Sequence, residues 1–416
     1  MSSEDEYFLL AAAYSVLIKK KSNKLLQRPR NRTKWVKECL LKRSKYTHVN
    51  LLQELRFEPD DWRNYLRMDE DSYVRLLTLV SPLTERKDTM LRAAITPHER
   101  LTATLRYLAT GRNYEDLKFS TLISPQSLGK IIPETCRAVV EVLKTEYMKF
   151  PATEDEWIRI ANDFEKKCNF VNCVGACDGK HVNIIPPAGS GSYYYNYKGT
   201  HSLVLMAVVS ANCEFIMCDF GINGRISDGG VLEYTNVYKK LKNGQLSLPA
   251  PIKPKNSEIV LPFVFIGDEA FTLRKKFVKP FSRKALNNEK KIFNYRLSRA
   301  RSKVENAFGI LSNRFRIFHT AISVNLEAID NIVMATCVLH NYLRRRSGNL
   351  YAPNNNLYRE DALTGTIELG LQPTDFISLQ QTHNQRVDNV AKHVRELYLH
   401  YFNNEGAVEW QQRMVH

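Results

Sequence analysis

The chain has 416 residues, too many for one ordinary core, and 44% of them are hydrophobic, which excludes a disordered polymer. Its formal net charge is +16, and that charge is concentrated. Lys19 to Lys45 holds twelve Lys/Arg against one acid, and Arg274 to Arg316 holds fourteen against two; these zones carry +11 and +12, which leaves −7 on the rest of the chain. Two basic zones on an otherwise acidic chain point to a polyanionic partner, nucleic acid, where a merely solubilising surface would mix its signs.

Residues 1–50 read as a basic tail, suited to a localisation signal or a phosphate-binding arm. The apolar run Tyr7–Ile18 follows three acids and precedes Lys19, Lys20 and Lys21, the wrong polarity for a secretory leader. It is also too short to span a bilayer. Reduced, intracellular cysteines are therefore expected. Cys168, Cys173, Cys177, Cys213 and Cys218 cluster in sequence without a CxxC pair, so small buried side chains are expected rather than a zinc site.

Residues 51–168 read as helical. Thr96-Pro97-His98-Glu99 opens a helix that runs to Thr110 and stops at Gly111. A short segment, Tyr114–Phe119, follows, and Ser124-Pro125 opens a longer helix toward Leu143. This order predicts a helix-turn-helix-like unit.

The period changes in residues 169–346. Phe170–Asp178, Ser202–Ser210, Glu214–Phe220 and Ile259–Ile266 have the length and composition of strands. Asp228–Leu241, Arg299–Phe315 and Leu326–Arg346 read as helices. Three meandering strands followed by parallel additions through helices predict an α/β fold, a mixed sheet flanked by helices. Residues 347–416 are expected to be a linker and a docking helix over Gln385–Phe402.

Three acids stand out. Asp178 and Asp268 each follow an apolar strand-like run, where a buried carboxylate is costly unless it is paired or binds a cation. Glu305 borders the apolar helical face Val304, Phe308 and Leu311, with Arg301 one turn earlier. Three convergent carboxylates suit Mg²⁺ or Mn²⁺, and two such ions can activate water and stabilise the leaving oxygen of a phosphodiester. No GxxxxGK[ST], GxSxG or HExxH motif is present, so the P-loop, serine-hydrolase and zinc-protease signatures are missing. His181 and His340 are expected to be structural or phosphate-facing, and Tyr193, Tyr194 and Tyr195 with Lys198 suit contacts to DNA strand ends.

Five ordered motifs run through the third region: Asp178-Gly179-Lys180-His181, Tyr195-Asn196-Tyr197-Lys198-Gly199, Gly224-Arg225-Ile226-Ser227-Asp228-Gly229-Gly230, Gly267-Asp268-Glu269-Ala270-Phe271, and Val304-Glu305-Asn306-Ala307-Phe308-Gly309 with Arg314-Phe315-Arg316. Together with Leu339-His340-Asn341-Tyr342-Leu343, this series resembles the nuclease domain of PIF/Harbinger transposases and Harbinger-derived nucleases. The resemblance implies a ribonuclease-H-like DDE nuclease domain over 169–346, with Asp178, Asp268 and Glu305 as catalytic metal ligands for Mg²⁺ or Mn²⁺. Lys198, Arg301, Arg314 and Arg316 are the expected DNA contacts. Glu269 and Ala270 depart from the family's usual small residues; Glu269 adds an acid without a catalytic role. Asp228 is a further candidate ligand, for which an N-cap is the plainer reading. The resemblance also implies a separate Myb/SANT-like or MADF-like partner that helps with DNA binding and nuclear entry; the expected location is the nucleus, with the cytoplasm as an alternative, and no membrane association is expected. The competing expectation is a domesticated DNA- or chromatin-binding protein without cleavage.

Overall fold

The computed structural model describes residues 38–90, 93–224, 232–282, 286–353, 358–368, 376–379 and 388–415. The basic tail up to residue 37, Arg225 and Asp228 lie outside the described residues. The chain divides into two compact units, Met1–Ser44 and Lys45–His416. Of the first, the described part includes one helical turn, Glu38–Leu41.

The second unit begins with helices α1 (His48–Leu55), α2 (Pro59–Leu66), α3 (Glu70–Thr84), α4 (Pro97–Thr110), α5 (Tyr114–Thr121), α6 (Pro125–Tyr147) and α7 (Glu154–Cys168). Local chemistry sets their ends. Thr96 and Glu99 close a reciprocal capping box on α4, Pro97 occupies its first turn, and Gly111 ends it at φ 67°. Asn113 caps α5 and Ser124 caps α6. The three helices stand where the sequence places them. Their packing is that of a core: α6 buries Leu128, Ile132, Val139 and Leu143 in the main apolar cluster shared with the rest of the unit.

The central sheet contains β1 (Cys173–Asn183), β2 (Ser202–Val209), β3 (Phe215–Asn223), β4 (Val264–Ile266) and β5 (Phe277–Val278), in the order β3-β2-β1-β4-β5. The first three form an antiparallel meander; β4 and β5 add in parallel. The result is the expected mixed sheet flanked by helices. Apolar clusters lie on both faces. One holds Trp157, Phe265, Phe271 and Phe277, and the larger takes in α9 (Asn288–Arg314) and α10 (Leu326–Tyr351). The helical stretch expected before β4 is interrupted at Thr235: residues 232–234 are helical, α8 spans Asn236–Lys242 with Thr235 as its cap, and residues 228–231 lie outside the described residues.

The last segment does more than link. A short hairpin, β6 (Arg359–Glu360) with β7 (Ile367–Glu368), precedes β8 (Ile377–Ser378), which pairs antiparallel with Lys180 and His181 of β1. Helix α11 (Asn389–Asn403) packs on α9, and the Tyr398 hydroxyl donates to Pro262 O at 2.7 Å. Arg296 and Arg299 of α9 are buried here. Arg296 donates to Gly406 O at 3.0 Å and Gln411 Oε1 at 2.8 Å, and Arg299 to Asp361 O at 2.9 Å. Two cations of the second basic zone are thus structural bolts rather than surface charge.

Asn341 ties the two layers together. Fully buried on α10, it accepts from Phe215 N at 2.8 Å and donates to Phe215 O at 2.8 Å and Tyr147 O at 2.7 Å. Replacing it with Leu leaves three buried backbone groups unpaired. Asn341→Leu is expected to cost about 3 kcal/mol or more. Chemical denaturation checks this as a lower midpoint at unchanged slope.

Candidate active site

Strand β1 runs past the point at which sequence reasoning ends it. Asp178 is not a terminal residue but lies mid-strand, paired with Ala207 of β2. Its other side is where the sheet opens. β4 pairs with β1 only as far as Ala176, and β8 takes over at Lys180. Asp178 occupies the gap between these two partners. Because β1 and β4 are parallel, with Ala176 opposite Ile266, Asp178 and Asp268 both lie two residues beyond that last pair. Gly267 is needed just before Asp268, since a Cβ there would stand 2.6 Å from the Phe277 ring and 2.7 Å from that of Phe271.

Helix α9 supplies the third acid. Asp178, Asp268, Glu269, Arg301 and Glu305 all line one cavity of about 700 Å³. The walls are completed by Ser378 and Leu379 beside β8 and by Met414 and Val415 near the C-terminus. Sequence reasoning had no signal for these segments, which are distant along the chain and carry no motif.

Cationic side chains already stand among the acids. Lys180, the one buried lysine among the described residues, has its Nζ 2.9 Å from Asp178 Oδ2 and donates to Ser378 Oγ at 2.9 Å. Asp178 Oδ2 is buried and accepts no aligned hydrogen bond, so its link to Lys180 is an ion pair only. Arg301 bonds to Glu305 Oε1 and lies 3.8 Å from Asp268 Oδ2. Among the described residues no three acids, histidines or cysteines stand in a ligand-ready cluster. Asp178 and Asp268 are neighbours, and Glu305 reaches Asp268 through Arg301.

Electrostatics shows the strain in this pairing. The Asp268 carboxyl is pushed up from 3.8 to about 6, first by burial and then by the Asp178 charge. Arg301, the Ala270 N–H and Lys180 oppose the rise without cancelling it. Two adjacent carboxylates, one with an oxygen held by an ion pair alone and the other resisting ionisation, form a donor set of hard oxygens that a divalent cation would relieve.

The remaining candidates fall elsewhere. Lys198 is exposed on a turn held by buried Asn196, whose side chain donates to Ser202 Oγ at 2.8 Å and accepts from Thr200 N at 3.1 Å. The Tyr197 hydroxyl donates to Ser378 O at 2.8 Å, so this turn is tied to the residue that holds Lys180. Tyr193 and Tyr195 are exposed. Arg314 and Arg316, at the end of α9 and just beyond it, are not part of the cavity wall. His181 and His340 are structural. His181 shares a 2.9 Å hydrogen bond with Ser202 Oγ, and burial, then Lys180, pulls it down to about 4. His340 donates to Cys213 O at 2.8 Å, and burial pulls it down to about 3. The clustered cysteines are free thiols; Cys168, Cys173, Cys177 and Cys213 are buried and Cys218 half-buried.

A family model described as DDE superfamily endonuclease matches residues 177–341, a stretch that contains all three acids and ends at Asn341. The chain carries a DDE superfamily endonuclease domain. It is homologous to Harbinger-derived nucleases. It is 24% identical to the nuclease-named HARBI1 of Homo sapiens over 321 residues, 76% of this chain and 83% of the relative. It is 26% identical to Protein ALP1-like of Arabidopsis thaliana over 251 residues, 59% of this chain and 60% of the relative. No solved structure matches the chain.

The paired acids of the endonuclease domain carry a stability signature. The folded Asp268 binds its proton more tightly than the unfolded chain does, so the stability it contributes falls as pH rises from 3.8 to about 6 and stays low above that. Asp268→Asn is therefore expected to stabilise the chelated protein by up to about 3 kcal/mol at pH 7. Melting temperatures of variant and wild type in EDTA should differ at pH 7 and converge as the pH falls toward 4.

Proposed function

We propose that this chain is a divalent-metal-dependent DNA endonuclease of the transposase type, cleaving phosphodiesters at Asp178, Asp268 and Glu305 within a ribonuclease-H-like domain. The observation that carries this reading is the pair of carboxylates beyond the last β1–β4 residue pair, facing one cavity with a third acid on α9. The family match and the nuclease-named relatives support it.

In this reading Asp178, Asp268 and Glu305 hold Mg²⁺ or Mn²⁺. When bound, such ions supply Lewis acidity at the phosphoryl oxygens and lower the pKa of water. The chain's own residues do the rest. The sheet fixes Asp178 and Asp268 side by side, and Ala270 N–H holds one Asp268 oxygen at 3.0 Å. Arg301, about one-fifth exposed at the cavity, is placed to meet a phosphate oxygen. Lys198 on its exposed turn offers a second phosphate contact. The low His181 and His340 pKa values leave both neutral near pH 7, and neither lines the cavity. A DNA substrate places this activity in the nucleus, and a separate DNA-binding partner of the Myb/SANT or MADF type would direct it.

One observation favours the alternative, a domesticated DNA- or chromatin-binding protein without cleavage: two resident cations, Lys180 and Arg301, already stand against the three acids. Nicking separates the two readings. Purified wild type is expected to nick supercoiled DNA in Mn²⁺. Asp268→Asn and Glu305→Gln are expected to lose at least about 10²-fold in rate, because each removes a charged oxygen from the ion. DNA affinity in chelator is expected to hold or rise slightly for both variants. Wild type that binds DNA but nicks none of it, with Asp268→Asn indistinguishable, would overturn the enzyme reading.

A further inference from the structure

Outside the cavity, four arginines from three separate segments meet. Arg67 follows α2 in the left-handed conformation at φ 63°, Arg106 lies on α4, Arg314 ends α9, and Arg316 opens the 3-10 turn Arg316–His319. The close approach is built at Gly111. A Cβ there would stand 2.9 Å from Arg316 O and 3.2 Å from Ile317 Cα, so the end of α4 and the 3-10 turn come together only because the side chain is absent.

Three of the four guanidiniums are braced by neutral groups. Arg106 donates to Tyr65 O at 2.7 Å and lies 4.0 Å over the Tyr65 ring. Arg67 donates to Asn64 Oδ1 at 2.8 Å, and its Nε is buried without a hydrogen bond. Arg314 lies 5.5 Å over the Tyr351 ring. Among the described residues none of the four has a carboxylate within ion-pair distance; Arg63 and Arg112, at the rim, pair with their own acids, Asp60 and Asp116. Burial, then Arg316, Arg314 and Arg106 in that order, holds Arg67 below its ordinary pKa. Like charges gathered this way cost stability unless something else neutralises them.

We propose that Arg67, Arg106, Arg314 and Arg316 form a second nucleic-acid contact, a clamp for the phosphodiester backbone of duplex DNA separate from the cleavage cavity. Guanidinium forks suit phosphate oxygens better than any other side chain, and the net charge of +16 draws a polyanion to the surface. The clamp deepens the endonuclease reading by placing DNA at two points. Arg314 is nine residues beyond Glu305, about 13 Å along α9 and roughly half a turn round it, and none of the four arginines lines the cavity. The inference joins the helical segment, through Arg67 and Arg106, to the DNA contact expected of Arg314 and Arg316.

The test is fluorescence anisotropy of a labelled duplex with full-length protein in EDTA, between 50 and 200 mM salt. Arg67→Gln and Arg316→Gln are the first variants, because neither side chain makes a long-range hydrogen bond among the described residues. Each is expected to reduce the log–log salt slope by about 0.9, and the double variant by about twice that. Melting temperatures should hold or rise, since a repulsion has been removed. A merely structural role would instead lower the melting temperature and leave the slope unchanged, and either result overturns the clamp; so does wild type that binds no duplex at 50 mM salt. Mn²⁺ nicking by wild type is the second arm. Unchanged slopes with active nicking sink the clamp and leave the nuclease reading standing; reduced slopes without nicking do the reverse.

Discussion

One rigid rod organises this molecule. Helix α9 is 27 residues long and carries charged side chains on several faces, each with a different task. One face presents Arg301 and Glu305 to the acids at the sheet. Another buries Arg296 and Arg299, which grip the C-terminal segment through its backbone carbonyls and stack on Phe402 and Trp410. Its apolar stripe, with Val304, Phe308 and Leu311, seats the rod in the core, so these positions cannot shift independently. A helix this long holds its register over its whole length, which gives the third acid a fixed height above two strands far from it in sequence.

The second constraint is charge balance in a poorly solvated place. A carboxylate on a buried strand must be neutralised, and the protein does so from within, with Lys180 at Asp178 and Arg301 between Asp268 and Glu305. Lys180 is pinned by Ser378, on a strand that belongs to the C-terminal segment. The last seventy residues therefore take part in setting the electrostatics of the cavity as well as closing its wall. A metal ion bound here would compete with these resident cations for the same oxygens.

The second basic zone looks different once folded. Arg296 and Arg299 are buried bolts, Arg274 pairs with Glu233, and Lys279 donates to the Glu269 carbonyl at 2.9 Å. A sum of charges over a stretch of sequence counts these as surface, although the fold uses them internally. The cations left without acids are gathered from elsewhere as well, including Arg67 and Arg106 of the helical segment.

Much was legible in the sequence because it rests on short-range physics. Capping residues placed α4, α5 and α6, and apolar runs of strand length placed β1 to β4, because both are decided within a few residues. The three acids were recognisable from their motifs, and they line one cavity. The end of β1 was misread because a strand continues wherever partners pair with it, and β2 and β8 are distant in sequence. The same reason hides Ser378, Met414 and the burial of Lys180, since none has a periodicity or motif to mark it. The sequence by itself determined helices α4 to α6, the apolar runs that become β1 to β4, and the three acids that line the cavity. Only the tertiary structure decided which cations stay on the surface, which neutralise the acids, and which arginines meet, because burial and like-charge contact depend on segments that approach one another only when the chain has folded.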